Sequence, residues 1–125
     1  MAKILVIDDS EDIRLLLNQT LQSAGHTVVE AADGEEGLRC FREHRPDLVI
    51  TDIVMPNKEG LETIMELRRE FPEVKIVAMS GGTRGMVISF LPAAKKLGAD
   101  YTLPKPFDLG EMLAVVDDAL GLARH

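Results

Sequence analysis

The stretch ILVIDDSEDIRLLLNQTLQSAG, residues 4–25, passes from one structural periodicity to another. Ile4 to Ile7 is an unbroken apolar run, as expected of a strand covered on both faces. Beyond Asp8-Asp9, the apolar residues Ile13, Leu16, Leu17, Leu21 and Ala24 fall on one helical face, and Gly25 supplies a stop. The same strand-then-helix rhythm continues along the chain. Thr27-Val28-Val29, Leu48-Val49-Ile50, Val74 to Met79 and Tyr101-Thr102-Leu103 read as further strands. Leu38 and Phe41 mark a second helix, and Leu61, Ile64, Met65 and Arg68 a third. Ala93, Ala94 and Leu97 belong to a short fourth, with Pro92 in its first turn and Gly98 at its end. Leu109, Met112, Leu113, Val116 and Leu120 form the last, opened by Asp108 and Glu111 at capping-box spacing. Repeated strand-helix units imply parallel strands joined by right-handed crossovers, hence a doubly wound α/β sheet.

The chain has 125 residues, the size of one domain, and the pattern leaves no room for an output domain beside it. An apolar fraction of 46% and a charged fraction of 28% predict a packed, soluble core. Twenty-one acidic residues against fourteen basic ones give a net charge of −7, which disfavours nucleic acid and anionic membranes as partners. The same excess favours a site for cations. Cys40 is the single cysteine, so no internal disulfide forms. No signal peptide and no apolar run of the ~20 residues needed for a membrane span are present, and the expected location is the cytoplasm.

Ligands of doubly wound sheets bind beyond the carboxyl ends of the strands. Asp8 and Asp9 follow the first strand, Asp52 the third, Ser80 the fourth and Lys105 the fifth. Taken singly, each has an ordinary explanation: Asp8-Asp9 as helix capping before Glu11, Asp52 and Ser80 as turn residues, Lys105 as a solvated lysine. Together they bring three carboxylates, a hydroxyl and an ammonium to one end of one sheet. Clustered acids repel unless a cation joins them, and an all-oxygen donor set suits Mg²⁺.

ILVIDD (residues 4–9), PDLVITDIVMP (46–56) with Gly60 after it, AMSG (78–81) and GADYTLPKPF (98–107) together resemble the receiver domains of two-component response regulators, particularly the stand-alone chemotaxis type. The likeness extends over essentially the whole chain. It implies a flavodoxin-like (βα)5 fold with strand order 2-1-3-4-5, and Asp52 as phosphoacceptor. It also implies Asp9 as a direct Mg²⁺ ligand, Asp8 as a ligand through water, and a backbone carbonyl ligand from Val54. Ser80 and Lys105 would hold phosphoryl oxygens, and Lys105-Pro106 would be a cis peptide. The implied donor is a sensor histidine kinase or a histidine phosphotransfer protein, and the signal would pass to a downstream protein. A haloacid-dehalogenase-like phosphatase is a rival reading, but its Asp-x-Asp signature is replaced here by Asp8-Asp9-Ser10. A receiver fold kept only as a protein-binding module, or a receiver cut from a larger regulator or hybrid kinase, are others.

Several positions depart from the family pattern. Thr102 stands where many members carry a switching aromatic, and Tyr101 reads as a packing residue on the opposite face of its strand. The glycine-rich stretch from Gly81 to Leu91 predicts a loop before a shortened helix. Val54 and Gly82 would line the approach of hydrolytic water and offer it no side-chain hydrogen bond. Gly37 inside the second helix costs ~1 kcal/mol against alanine and implies a weak helix or a close contact. Met55, Met65, Met79, Met86 and Met112 read as packing residues, Cys40 as half-buried, and His26, His44 and His125 as solvated.

Overall fold

The computed structural model describes residues 2–53, 60–81, 91–105 and 107–121. Strand β1 (Lys3–Ile7) carries apolar side chains on both faces, and Ile4 to Ile7 are all completely buried. Such a strand is stable only inside a sheet covered on both sides. It lies between β2 (Thr27–Ala31) and β3 (Leu48–Asp52), followed outward by β4 (Lys75–Gly81) and β5 (Tyr101–Lys105). All pairs are parallel, in the order β2-β1-β3-β4-β5. This is the doubly wound flavodoxin-like topology expected from the sequence.

Alternation along each strand divides the core in two. Leu5, Ile7, Val49, Ile76 and Ala78 face α2 (Gly34–His44), α3 (Gly60–Glu70) and α4 (Leu91–Leu97), where they meet Leu38, Phe41, Ile64, Leu67 and Ala94. Ile4, Val6, Leu48, Ile50, Val77 and Met79 face α1 (Glu11–Ser23) and α5 (Leu109–Leu120), where they meet Leu17, Leu21, Met112 and Val116. Tyr101 packs on the α1/α5 side, as its place on the strand requires. The fourth helix is short, at seven residues. Asp108 accepts the Glu111 amide, the expected cap of α5. Asp33 caps α2 in the same way, and Glu36 reaches back to the Ala32 amide.

Three expectations are corrected. Leu16 is 42% exposed, and the buried stripe of α1 runs instead through Leu17 and Leu21. Met65 is likewise 48% exposed, because the buried face of α3 follows Gly60, Thr63, Ile64 and Leu67 and places residue 65 about 100° round the helix. His26 is not solvated. It is buried in the turn between α1 and β2, where its Nδ1 accepts the Ala2 amide at 3.3 Å. Cys40 is half-buried, with its Sγ against the Glu30 carbonyl. Gly37 reflects a close contact: a Cβ there would lie 2.4 Å from Cδ1 of the buried Ile7.

At the amino ends of β4 and β5, Arg68 acts as a clamp. Its guanidinium donates to the carbonyls of Pro72 (2.7 Å), Val74 (2.8 Å) and Gly98 (2.7 Å) and to Asp100 Oδ2 (2.7 Å). Asp100 Oδ2 also accepts the Ile76 amide at 2.9 Å, so one side chain ties α3 to two loops and to the sheet. Hydrogen bonds to a charged group contribute more than neutral ones. Arg68→Ala is therefore expected to destabilise the fold by ~3 kcal/mol, read as a lowered denaturant midpoint with an unchanged slope.

Candidate functional site

The site is assembled where β1, β3 and β5 end. Asp8 extends the β1–β2 pairing by one bond, its amide donating to the Ala31 carbonyl at 3.1 Å. Its Oδ1 accepts the Ser10 amide at 2.9 Å, which turns the chain into α1. The helix cap itself is Ser10, whose Oγ accepts the Ile13 amide at 3.3 Å. Capping of α1 therefore does not occupy the Asp8-Asp9 pair. The second Asp8 oxygen, Oδ2, lies 2.9 Å from Lys105 Nζ, and Asp8 is completely buried.

Asp52 is the last residue of β3, the central strand, and is 7% exposed. Its Oδ1 accepts the Ile53 amide at 3.0 Å, and its Oδ2 lies 3.6 Å from Lys105 Nζ. Lys105 ends β5, so the sheet itself carries the ammonium to the carboxylates. Asp9 completes the group: Asp8, Asp9 and Asp52 each offer an oxygen within 4.8 Å of the others. Three carboxylates against one ammonium leave two negative charges in a largely buried space. Burial pushes the Asp52 carboxyl up to about 6, Lys105 opposes the shift, and the neighbouring Asp8 and Asp9 add to it. An all-oxygen donor set with that surplus fits a hard divalent cation such as Mg²⁺.

Ser80 lies on β4 opposite Pro104 in the register. Its side chain lies outside the described residues, as do Val54, Gly82, Met55, Met86, Pro106 and His125, and with them residues 82–90. Thr102 is half-buried on β5.

Two features of the site were not read from the sequence. Gly60 appears there as part of a motif without a reason. At that position a Cβ would lie 2.1 Å from the Asp52 carbonyl oxygen and 2.5 Å from Ile53 Cα, while the Gly60 amide donates to the Ile53 carbonyl at 2.7 Å. Only a residue without a Cβ lets α3 begin against the backbone that carries Asp52. The second feature is Arg14, whose Nη1 donates to the Asp8 carbonyl at 2.8 Å.

Two outcomes follow from this geometry. A raised carboxyl pKa means that the folded chain holds the Asp52 proton more tightly than the unfolded chain. Without metal, stability therefore falls as pH rises from about 4 to about 6 and then levels off. Asp52→Asn should remove that loss, leaving the metal-free protein more stable by up to ~3 kcal/mol at pH 8 and little changed at pH 4, as read by denaturation at both pH values. Gly60→Ala forces backbone against backbone and should cost ~3 kcal/mol, the upper end of overpacking. NMR shifts should change first at Asp52 and Ile53.

Residues 4–117 match the family model described as the response regulator receiver domain. The chain is 39% identical over 119 residues to the DNA-binding transcriptional regulator NtrC of Azospirillum brasilense, covering 95% of this chain and 24% of that protein. It is 36% identical over 121 residues to sensor kinase CckA of Brucella abortus, covering 95% of this chain and 12% of that protein. It thus spans a quarter or less of either relative. The solved structure of the chemotaxis response regulator CheY4 of Vibrio cholerae superposes with a TM-score of 0.84 at 33% identity, covering 96% of this chain and 99% of that one. With the sheet order, the acidic cluster and the family match in agreement, the chain belongs to the response regulator receiver domain family.

Proposed function

We propose that this chain accepts a phosphoryl group on Asp52 from a phosphohistidine and signals the event to a downstream protein. Receiver domains act with histidine kinases and effectors and bind Mg²⁺ at an acidic cluster of the kind found here. The observation that carries the assignment to Asp52 is its place at the end of the central strand, within 3.6 Å of Lys105 and beside Asp8 and Asp9. One Asp52 oxygen attacks phosphorus, the bond from phosphorus to the donor imidazole nitrogen breaks, and its electron pair returns to the imidazole. The product is an acyl phosphate. Asp8, Asp9 and Asp52, with the Val54 carbonyl, are the groups that would hold Mg²⁺, which when bound supplies positive charge to the phosphoryl oxygens. Lys105 and the Ser80 hydroxyl would each hold a phosphoryl oxygen.

The signal is the exchange of the Asp52 carboxylate, with one negative charge, for an acyl phosphate that carries nearly two and presents three further oxygens. The chain serves as a phosphoacceptor and not as an enzyme with an external product, although it assists its own phosphorylation and dephosphorylation. The donor is a sensor histidine kinase or a histidine phosphotransfer protein, and residues 1–125 act as one receiver. A net charge of −7 supports a protein partner over nucleic acid or an anionic membrane. Among the described residues no helix is long and apolar enough to cross a membrane, and the site of action is the cytoplasm.

The test is the intact mass of the protein after incubation with a small phosphodonor and Mg²⁺. One phosphoryl group should add, chelation of the metal should prevent it, and Asp52→Asn should abolish it. A labelled Asp52→Asn protein would overturn the assignment.

A further inference from the structure

Each polar atom of Asp8 has a partner. Its amide meets the Ala31 carbonyl, Oδ1 meets the Ser10 amide, and Oδ2 meets Lys105. These contacts fix the Asp8 side chain and its own amide. The contact from Arg14 Nη1 to the Asp8 carbonyl oxygen, at 2.8 Å, acts on a different unit: the peptide that joins Asp8 to Asp9. That unit is planar, so holding its oxygen also fixes the Asp9 amide and the position of the Asp9 Cα from which its side chain projects. Asp9 is exposed, and no side-chain hydrogen bond to another described residue holds its carboxylate. Of the three acids, it is the one whose aim depends on the backbone.

Arg14 is itself anchored. Its Nε donates to Glu30 Oε1 on β2 at 3.2 Å, and the other Glu30 oxygen accepts from Asn18, one turn further along α1. The Arg14 side chain is 18% exposed. A guanidinium presents its donors in a rigid planar plan, so a carboxylate fixed on one N–H determines where the other N–H groups point. The two contacts thus connect β2, through α1, to the loop that carries the acids.

We propose that Arg14, anchored by Glu30, is a positioning residue for metal ligation: it sets the Asp8–Asp9 peptide and thereby aims Asp9 at the cation. The inference rests on the metal reading of the acidic cluster. Charge alone predicts the opposite sign, because a guanidinium repels Mg²⁺ and its removal would tighten binding. Positioning predicts weaker binding when the donor is lost, as for other groups that orient metal ligands.

The experiment is titration of the metal-free chain with MgCl₂, followed by amide NMR, for the parent, Arg14→Met, Arg14→Gln and Arg68→Ala. The parent should bind Mg²⁺ saturably, and both Arg14 variants should bind about tenfold more weakly, the lower end of effects seen for residues that orient metal ligands. The two Arg14 variants share the loss of the long donor, so the result does not depend on one of them folding. Before metal is added, the Asp9 amide should be displaced while amides of β4 and β5 keep their positions. Arg68→Ala, which lowers stability far from the site, should bind like the parent. Parental or tighter affinity in the Arg14 variants would overturn the proposal, as would an equal loss in Arg68→Ala, which would trace the effect to stability. A parent that fails to bind Mg²⁺ would instead overturn the metal reading, and the Arg14 role with it.

Discussion

Mutual repulsion among the carboxylates of Asp8, Asp9 and Asp52, confined to the carboxyl end of a parallel sheet, is the constraint around which the rest of the structure is arranged. In water such groups would separate. Here Asp8 and Asp52 are each at the end of a buried strand and cannot, since moving either would pull apart β1 or β3. Lys105 relieves part of the repulsion by standing 2.9 Å from Asp8 and 3.6 Å from Asp52, closer to the more deeply buried acid. One ammonium cannot neutralise three carboxylates, and burial, with Asp8 and Asp9 adding to it, displaces the Asp52 carboxyl upward against the pull of Lys105. A site left with surplus negative charge and open to one exposed acid, Asp9, attracts a divalent cation.

Holding that arrangement requires backbone precision, and the neighbouring residues supply it. Ser10 caps α1, so Asp8 is free to hold Lys105. Gly60 lets the first turn of α3 lie against the Asp52 carbonyl, where any side chain would push the acid out of line. The α3 helix is in turn tied down at its other end by Arg68. Both ends of α3 are therefore fixed to the sheet, one by a missing Cβ and the other by an extended guanidinium. The same sequence–structure logic applies to Gly37, whose close approach brings α2 down onto Ile7 directly before Asp8.

The doubly wound sheet and the edge position of the acids were legible in the sequence for one physical reason, period, while the strand order came from the resemblance to receiver domains. Continuous apolar runs define buried strands, and the residue after such a run occupies the sheet's carboxyl edge, so Asp8, Asp52 and Lys105 could be placed without coordinates. Helix faces were less legible. On α1 the sequence Leu15-Leu16-Leu17 offers apolar residues through 200° of arc, and only the angle at which the helix meets the sheet decides that Leu17 is buried while Leu15 and Leu16 are exposed. Met65 was misread for the same reason. The fate of His26 depends on one amide at the amino end of β1, twenty-four residues away in the chain, which no local pattern encodes. Arg14 and Glu30 lie sixteen residues apart on different elements, and nothing in composition or spacing links them.

The energetics of Asp52 show why such a site needs this scaffold. A carboxylate kept ionised at neutral pH against a pKa of about 6 lowers the stability of the metal-free fold. The sheet tolerates this because Ile4 to Ile7, Leu48 to Ile50 and Ile76 to Met79 are almost completely excluded from solvent, with a separate apolar layer packed on each face. Burial of this kind contributes on the order of 2 kcal/mol per large aliphatic side chain, so the unfavourable charge is offset by one or two residues of the core. The strain is also local: it falls on groups whose surplus charge a cation would relieve, at the ends of strands whose interiors are indifferent to it. Stability and reactivity are thereby assigned to different lengths of the same strands, and the site can gain or lose charge without the sheet beneath it being redrawn.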